Sequence, residues 1–169
     1  MTALCVIGID PGPVPGFVRL HFKNGRLVAR WTHVLQCSAN VAPEILLSLL
    51  NDPGGLWPNT IVATERFVVG RRAARSSTAH AGAVTRDLVG LLGHIAREED
   101  ATLVERSAAQ VKPWATDNRL KAVQVSGTSL LDLVSSVGRH ARDAARHALF
   151  AAVHDGGVPD PLSTKEISR

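Results

Sequence analysis

The sequence predicts an α/β protein built on a mixed sheet, and three observations carry that prediction. Short apolar runs bounded by glycine, proline or polar residues predict strands at residues 4–9, 16–22, 26–36, 60–64 and 101–105. The Lys-Asn-Gly turn at residues 23–25 joins the second and third strands as a hairpin. A predicted helix precedes each of the last two strands, as it does where strands lie parallel. We therefore expect a five-stranded sheet, three antiparallel strands and then two parallel ones, flanked by helices.

Apolar residues at helical spacing predict the helices. The most regular one covers residues 138–153, and its stripe of mostly small side chains would let it press close to a sheet. A second long helix is predicted at residues 77–98, where apolar side chains mark one face. Shorter helices are predicted at residues 41–50, 108–112, 117–125 and 129–137.

Length and composition indicate one soluble domain. The chain has 169 residues, 45% of them hydrophobic, and no apolar run approaches the ~20 residues that cross a bilayer. We expect a domain at residues 1–154 and a loosely ordered tail at residues 155–169, which is rich in glycine, proline and polar residues. The N-terminus lacks a signal-like segment, so a cytoplasmic location is expected. Cys5 and Cys37 lack the spacing of a zinc site and are expected to be free thiols.

The charge permits a polyanionic partner. The formal net charge is +4, and the basic residues fall in two groups. The first group is Arg66, Arg71, Arg72 and Arg75, and the second is Lys112, Arg119 and Lys121. Either group alone is equally consistent with an ordinary solvated surface.

Acidic residues fall at the ends of two predicted strands. Asp10 ends the first strand, before a turn rich in proline and glycine, and Glu65 ends the fourth. If these strands pair in parallel, both carboxylates lie at the sheet edge where open α/β proteins place their sites. His140 and Asp143, at positions i and i+3, can join them from one face of the last long helix. Each residue alone is also explained by a turn, a surface ion pair or a solvated helix face, but their joint placement favours a site.

Converging carboxylates indicate a divalent cation. Several carboxylate ligands without neutralising basic residues repel one another, and a bound Mg²⁺ or Mn²⁺ ion would neutralise their charge. Two such ions roughly 4 Å apart can activate water and stabilise the leaving oxygen in phosphodiester hydrolysis. The expected site therefore holds two ions.

Four motifs in unbroken order resemble the RuvC group of Holliday-junction resolvases, within the RNase H-like superfamily. The matching stretches are Gly8-Ile9-Asp10-Pro11-Gly12, Ala63-Thr64-Glu65, Val111-Lys112 followed by Lys121, and His140-Ala141-Arg142-Asp143-Ala144-Ala145. The similarity spans residues 4–154. It departs from the family where Phe67 stands one position closer to the glutamate than the usual aromatic residue, and where the spacing from Lys112 to Lys121 is slightly shorter.

The resemblance implies an RNase H-like fold and a homodimeric endonuclease that cleaves branched DNA. It makes Asp10, Glu65, His140 and Asp143 ligands of Mg²⁺ or Mn²⁺, and adds Lys121 to the catalytic residues. The expected DNA contacts are Phe67, Arg71, Arg72, Arg75, Lys112, Arg119 and Lys121. Compact members of this kind are frequent among phage proteins, in which case the location is the host cytoplasm, and some cut flaps or forks.

Two rival functions remain open at this stage. One is a catalytically silent protein that binds branched DNA, although all four ligand positions are retained. The other is an ATP-binding protein of the wider actin-like superfamily, which would need further glycine-rich phosphate loops that the sequence lacks.

Overall fold

The computed structural model describes residues 3–51, 58–66 and 79–163. Within these ranges, no helix combines the length and the apolar character needed to cross a membrane.

The described strands form one mixed sheet and a small hairpin. The sheet strands are β1 (Ala3–Asp10), β2 (Gly16–Lys23), β3 (Arg26–Leu27), β4 (His33–Gln36), β5 (Thr60–Glu65) and β6 (Thr102–Arg106). They lie in the order β3-β2-β1-β5-β6, and β4 also pairs with β2. β1 is antiparallel to β2 and parallel to β5, which is itself parallel to β6.

This topology confirms the predicted mixed sheet, with one difference. The strand expected at residues 26–36 is divided into β3 and β4 by a 3-10 turn at Ala29–Trp31, so the sheet has six strands. Both parts pair antiparallel with β2, and the turn between them places Trp31 against His21, with ring centroids 5.8 Å apart.

The described helices are α1 (Ala42–Leu50), α2 (Ala79–Glu98), α3 (Ala108–Val111), α4 (Asp117–Ala122), α5 (Leu130–Val137) and α6 (Arg139–His154). The helix predicted at residues 117–125 was too long, because it ends at Ala122 and a hairpin of β7 (Gln124–Val125) and β8 (Thr128–Ser129) follows. Ser126 and Gly127 form its turn with φ of 50° and 86°, a left-handed conformation that no helix contains.

Alternating side chains divide the core between the two faces of the sheet. One face packs against α6, and the other packs against α1 and α2. The α6 face includes Val6, Val18, Leu20 and Ala63, whereas the opposite face includes Ile7, Ile9, Phe17 and Val62. The sheet is therefore covered on both sides, and α6 lies directly over its central strand.

Residues 155–163, part of the tail that we expected to be loosely ordered, contact the domain through ion pairs and one buried side chain. Arg106 binds both carboxylate oxygens of Asp155 at 2.7 Å, and Arg119 binds Asp160 at 3.0 Å. Val158 is buried in the core on the α6 side. The rest of the predicted tail, residues 164–169, lies outside the described residues.

Candidate active site

Asp10 and Glu65 lie at the same edge of the sheet because β1 and β5 are parallel. The register places Ile9 opposite Thr64, so the next residue on each strand is a carboxylate. Asp10 shares its side of β1 with Val6, and Glu65 shares its side of β5 with Ala63, both of which face α6. The strands thus deliver two acidic side chains beneath the first turns of α6.

Two glycines allow α6 to approach these carboxylates closely. A Cβ at Gly8 would lie 2.1 Å from the carbonyl oxygen of Ala144, and a Cβ at Gly16 would lie 2.2 Å from the carbonyl carbon of His140. Gly16 is also the cross-strand partner of Asp10. Any larger residue at either position would push the helix and its two candidate site residues, His140 and Asp143, away from the sheet.

Gln36 binds the N-terminus of α6. Its Oε1 accepts hydrogen bonds from the backbone N–H groups of His140 at 2.8 Å and Ala141 at 3.2 Å. These donors are among the first N–H groups of the helix, which have no partner within it. Gly138, with φ of 147°, makes room, since a Cβ there would lie 2.6 Å from the Gln36 side chain. Gln36 therefore fixes the turn that carries His140.

His140 contacts Asp10 directly. Its Nδ1 lies 2.7 Å from Oδ2 of Asp10, and only 8% of the Asp10 surface is exposed. The i, i+3 spacing on α6 then brings Asp143 to the same face of the helix.

Asp143 lies between two basic side chains. Lys112 Nζ is 3.0 Å from its Oδ2, and one terminal nitrogen of Arg146 is 2.6 Å from its Oδ1. The other terminal nitrogen of Arg146 is 2.8 Å from Asp117, which also binds Arg142. Lys112 directly follows α3, where the side chain of Gln110 accepts a hydrogen bond from the backbone N–H of Ser107 at 2.9 Å.

The three carboxylates have different electrostatic environments. Burial raises the pKa of Asp10, and the contact with His140 opposes the rise. Burial also raises the pKa of Glu65, and the charges of Asp10 and Asp143 raise it further. Burial would raise the pKa of Asp143, but the hydrogen bonds and charges of Lys112 and Arg146 lower it overall.

These residues suit a divalent cation of the Mg²⁺ or Mn²⁺ type. Three carboxylates supply hard oxygen donors, and the raised pKa values of Asp10 and Glu65 mark a position where added positive charge would be stabilising. In the described part of the chain, no three His, Cys, Asp or Glu side chains are already grouped as metal ligands. His140 is directed at Asp10, and Asp143 is directed at Lys112 and Arg146.

A groove of about 400 Å³ opens beside Glu65. It is lined by Pro11, Arg66, Thr85, Ser107 and Ala108 as well as by Glu65. Glu65 can therefore be reached by a ligand larger than an ion.

The other residues predicted from the sequence have different surroundings. Arg119 donates to Asp160 and to the carbonyl of Trp114, over whose ring it stacks at 4.4 Å. Lys121 is exposed on α4, and no hydrogen bond or ion pair within the described structure joins it to the site carboxylates. Phe67, Arg71, Arg72 and Arg75 lie outside the described residues.

Sequence reasoning missed three residues that hold the site together. Gln36 was only the last residue of a predicted strand, and nothing in its surroundings indicated a contact with a helix about one hundred residues later. Asp117 was only the start of a predicted helix. Arg146 lies three residues after Asp143 on α6, and that spacing was the one available signal.

The sheet order and the position of α6 define an RNase H-like fold. Solved structures that share it include RuvC from Thermus thermophilus. RuvC in complex with a Holliday junction substrate matches with a TM-score of 0.60 and 18% identity, over 93% of this chain and 96% of that one. A further RuvC structure from the same organism matches with a TM-score of 0.50 and 18% identity, over 94% of this chain and 99% of that one. The chain therefore has a RuvC-like fold, as the sequence motifs predicted.

No protein-family model matches the chain, and no curated protein sequence matches it.

Proposed function

We propose that the protein is a divalent-metal-dependent endonuclease that resolves branched DNA such as Holliday junctions. The observation that carries the proposal is that β1 and β5 end side by side in Asp10 and Glu65, with Asp143 near enough for its charge to raise the pKa of Glu65. The RuvC-like fold supports it, because a protein with that fold has been solved in complex with a Holliday junction substrate.

The site residues divide the chemistry between them. Asp10, Glu65 and Asp143 would hold two Mg²⁺ or Mn²⁺ ions, which supply an activated water and stabilise the leaving oxygen. His140 is a further ligand or an acid/base group, and its contact with Asp10 orients the ring. Lys112 and Lys121 would offset the negative charge that develops on the scissile phosphate.

The remaining predicted residues would hold the DNA. Arg71, Arg72 and Arg75 are expected to contact phosphates away from the cut, and Phe67 to stack on a base. Arg119 stays a predicted DNA contact, although its pair with Asp160 also gives it a structural role. We expect a homodimer, since two symmetric cuts require two sites related by a two-fold axis. We expect it to act in the cytoplasm.

Cleavage of a labelled four-way junction, a flap and a fork tests the proposal. We expect cleavage with Mg²⁺ or Mn²⁺, none with EDTA, and none from Asp10→Asn, Glu65→Gln or Asp143→Asn, each of which should still bind the junction. Matched linear duplex is the control substrate.

Three outcomes would change the assignment. Tight junction binding without cleavage in either metal would favour a catalytically silent binding protein. Cleavage of flaps or forks but not of junctions would make the protein a flap- or fork-specific nuclease instead. Full activity in one of the three variants would remove that residue from the site.

A further inference from the structure

Asp143 makes two cation contacts that differ in how firmly they are held. Arg146 is 18% exposed in its side chain and is bound on its other side by Asp117. Lys112 is 43% exposed in its side chain, and among the described residues its ammonium group forms an ion pair only with Asp143. Arg146 is therefore a fixed neighbour of Asp143, whereas the ammonium group of Lys112 can move away from the Asp143 carboxylate.

We propose that Lys112 occupies the Asp143 oxygen that a metal ion takes, so that metal binding displaces Lys112. This inference rests on the proposed function and adds a step to it. The ammonium group acts as a built-in competitor of the metal in the metal-free protein, and its displacement leaves it available to DNA phosphate.

The geometry at Asp143 leaves one oxygen for exchange. Oδ1 accepts from Arg146 at 2.6 Å, so an ion that bound there would have to displace a guanidinium held at both ends. Among the residues that the structure describes, Oδ2 accepts only from Lys112, at 3.0 Å. Mg²⁺ binds carboxylate oxygen at roughly 2.0–2.1 Å and cannot share that position with an ammonium group.

The two side chains suit these different roles. Arginine forms a rigid planar fork that can bind Asp143 and Asp117 together, and its contacts remain when one neighbour changes. Lysine carries a compact charge on a flexible stem, so its ammonium group can move between acceptors without rearranging the backbone.

Lysine ammonium signals in ¹H–¹⁵N NMR spectra test the displacement directly, without DNA and without turnover. The Lys112 signal is assigned by its loss in Lys112→Met. It should shift or broaden as Mg²⁺ is added, and the midpoint of this change should equal the midpoint of Mg²⁺ binding measured by calorimetry. Lys23 is the internal control, because it lies at the end of β2 that is remote from Asp10 and its signal should not move.

Calorimetric Mn²⁺ binding to two variants provides a second test. Lys112→Met should bind Mn²⁺ about threefold to tenfold more tightly than the wild type, because the competitor is gone. Arg142→Gln is the matched control, since Arg142 belongs to the same charged network but contacts Asp117 rather than Asp143. It removes one positive charge without freeing Oδ2 and should change the affinity by less than about twofold.

The outcomes separate the inference from the proposed function. A Lys112 signal that Mg²⁺ leaves unchanged at saturation would overturn the exchange, and so would an equal gain in affinity in both variants. In those cases metal still binds and the proposed function stands. Absence of Mn²⁺ binding in every variant would overturn both.

Discussion

The ionisation of Glu65 and that of Asp143 have opposite effects on the fold. Burial and two neighbouring carboxylates disfavour the charged form of Glu65 and raise its pKa above the ordinary value of 4.5. Lys112 and Arg146 favour the charged form of Asp143 and lower its pKa below 3.8. One carboxylate therefore weakens the metal-free fold at neutral pH, and the other stabilises it.

We expect Glu65→Gln to match or exceed the wild type in free energy of unfolding at pH 7 in EDTA. Asp143→Asn should lose about 1.5–3 kcal/mol, the range for hydrogen bonds to a charged group. Urea denaturation of the two variants beside the wild type measures both effects. A clear loss of stability in Glu65→Gln would contradict the account given for its pKa.

The same pair should respond differently to pH. The contribution of Glu65 to the free energy of unfolding is most favourable below pH 4.5 and declines as pH rises through its raised pKa. The stability advantage of Glu65→Gln over the wild type should therefore grow as pH rises from 4.5 through that raised pKa. The contribution of Asp143 is present above pH 3.8 and disappears as pH falls through its lowered pKa. Denaturation curves between pH 3 and pH 8 show both trends, and identical profiles for the two variants would contradict them.

For individual residues, the sequence could predict which candidate site residues lie at strand ends or one helical turn apart. Asp10, Glu65, His140 and Asp143 follow from the parallel pairing of two strands and from one helical turn. The partners that hold them depend on contacts between elements far apart in the chain. Nothing local to Asp117 or Gln36 indicates that one binds Arg146 and the other the start of α6.

Among the elements, α6 carries two candidate ligands, and its distance from the sheet is set by glycines. We expect Gly16→Ala to lower the free energy of unfolding by about 1–3 kcal/mol and to weaken Mn²⁺ binding, because its Cβ would collide with the backbone of His140. Thermal denaturation and calorimetry measure the two effects.

Gly90→Ala is the matched control for that change. A Cβ at Gly90, which is exposed on α2, meets no atom within 4 Å. It should stabilise the protein by about 0.5–1 kcal/mol through helix propensity and leave metal binding unchanged. If Gly16→Ala behaved like Gly90→Ala, close packing at β2 would not position the site.

The N-terminus of α6 offers a second test of the same element. Gln36→Met should cost about 1 kcal/mol and weaken Mn²⁺ binding, because two backbone N–H groups lose their acceptor. Gln36→Glu keeps the acceptor and should restore stability. Unfolding free energies of the two variants decide the matter, and equal losses would show that the hydrogen bonds contribute nothing.

The ends of helices and strands could be predicted from the sequence where local residue patterns determine them. The Pro/Gly turn after Asp10, the hairpin turn at Asn24 and the small-residue stripe of α6 were all visible. The hairpin after α4 was not visible, because a serine at φ 50° precedes Gly127 and the flanking residues continue an apolar pattern. The division of the third strand was not visible either, and the turn that divides it brings Trp31 against His21 of another strand.

The whole molecule carries an excess of positive charge, and we expect part of it to bind DNA independently of the chemistry. Neutralising Arg71, Arg72 and Arg75 together should weaken binding to all branched DNAs alike and flatten the salt dependence by about 0.9 log units per lost phosphate contact. Binding titrations at several salt concentrations measure the slope, with single-turnover cleavage at saturating DNA beside them. An unchanged slope would remove these arginines from the interface.

The contact between Arg106 and Asp155 has a consequence for shortening the chain, because it lies next to the candidate metal site. Arg106 lies opposite Glu65 in the register of β5 and β6, and its guanidinium is bound at both ends by Asp155. A chain cut after His154, or an Asp155→Asn variant, would release that guanidinium from Asp155 while its strand position stays opposite the half-buried Glu65. We expect Mn²⁺ titrations to show weaker binding in both, since an internal counter-ion would then compete for Glu65. On this account Asp155 binds the Arg106 side chain, so that its charge does not compete with a metal ion for Glu65.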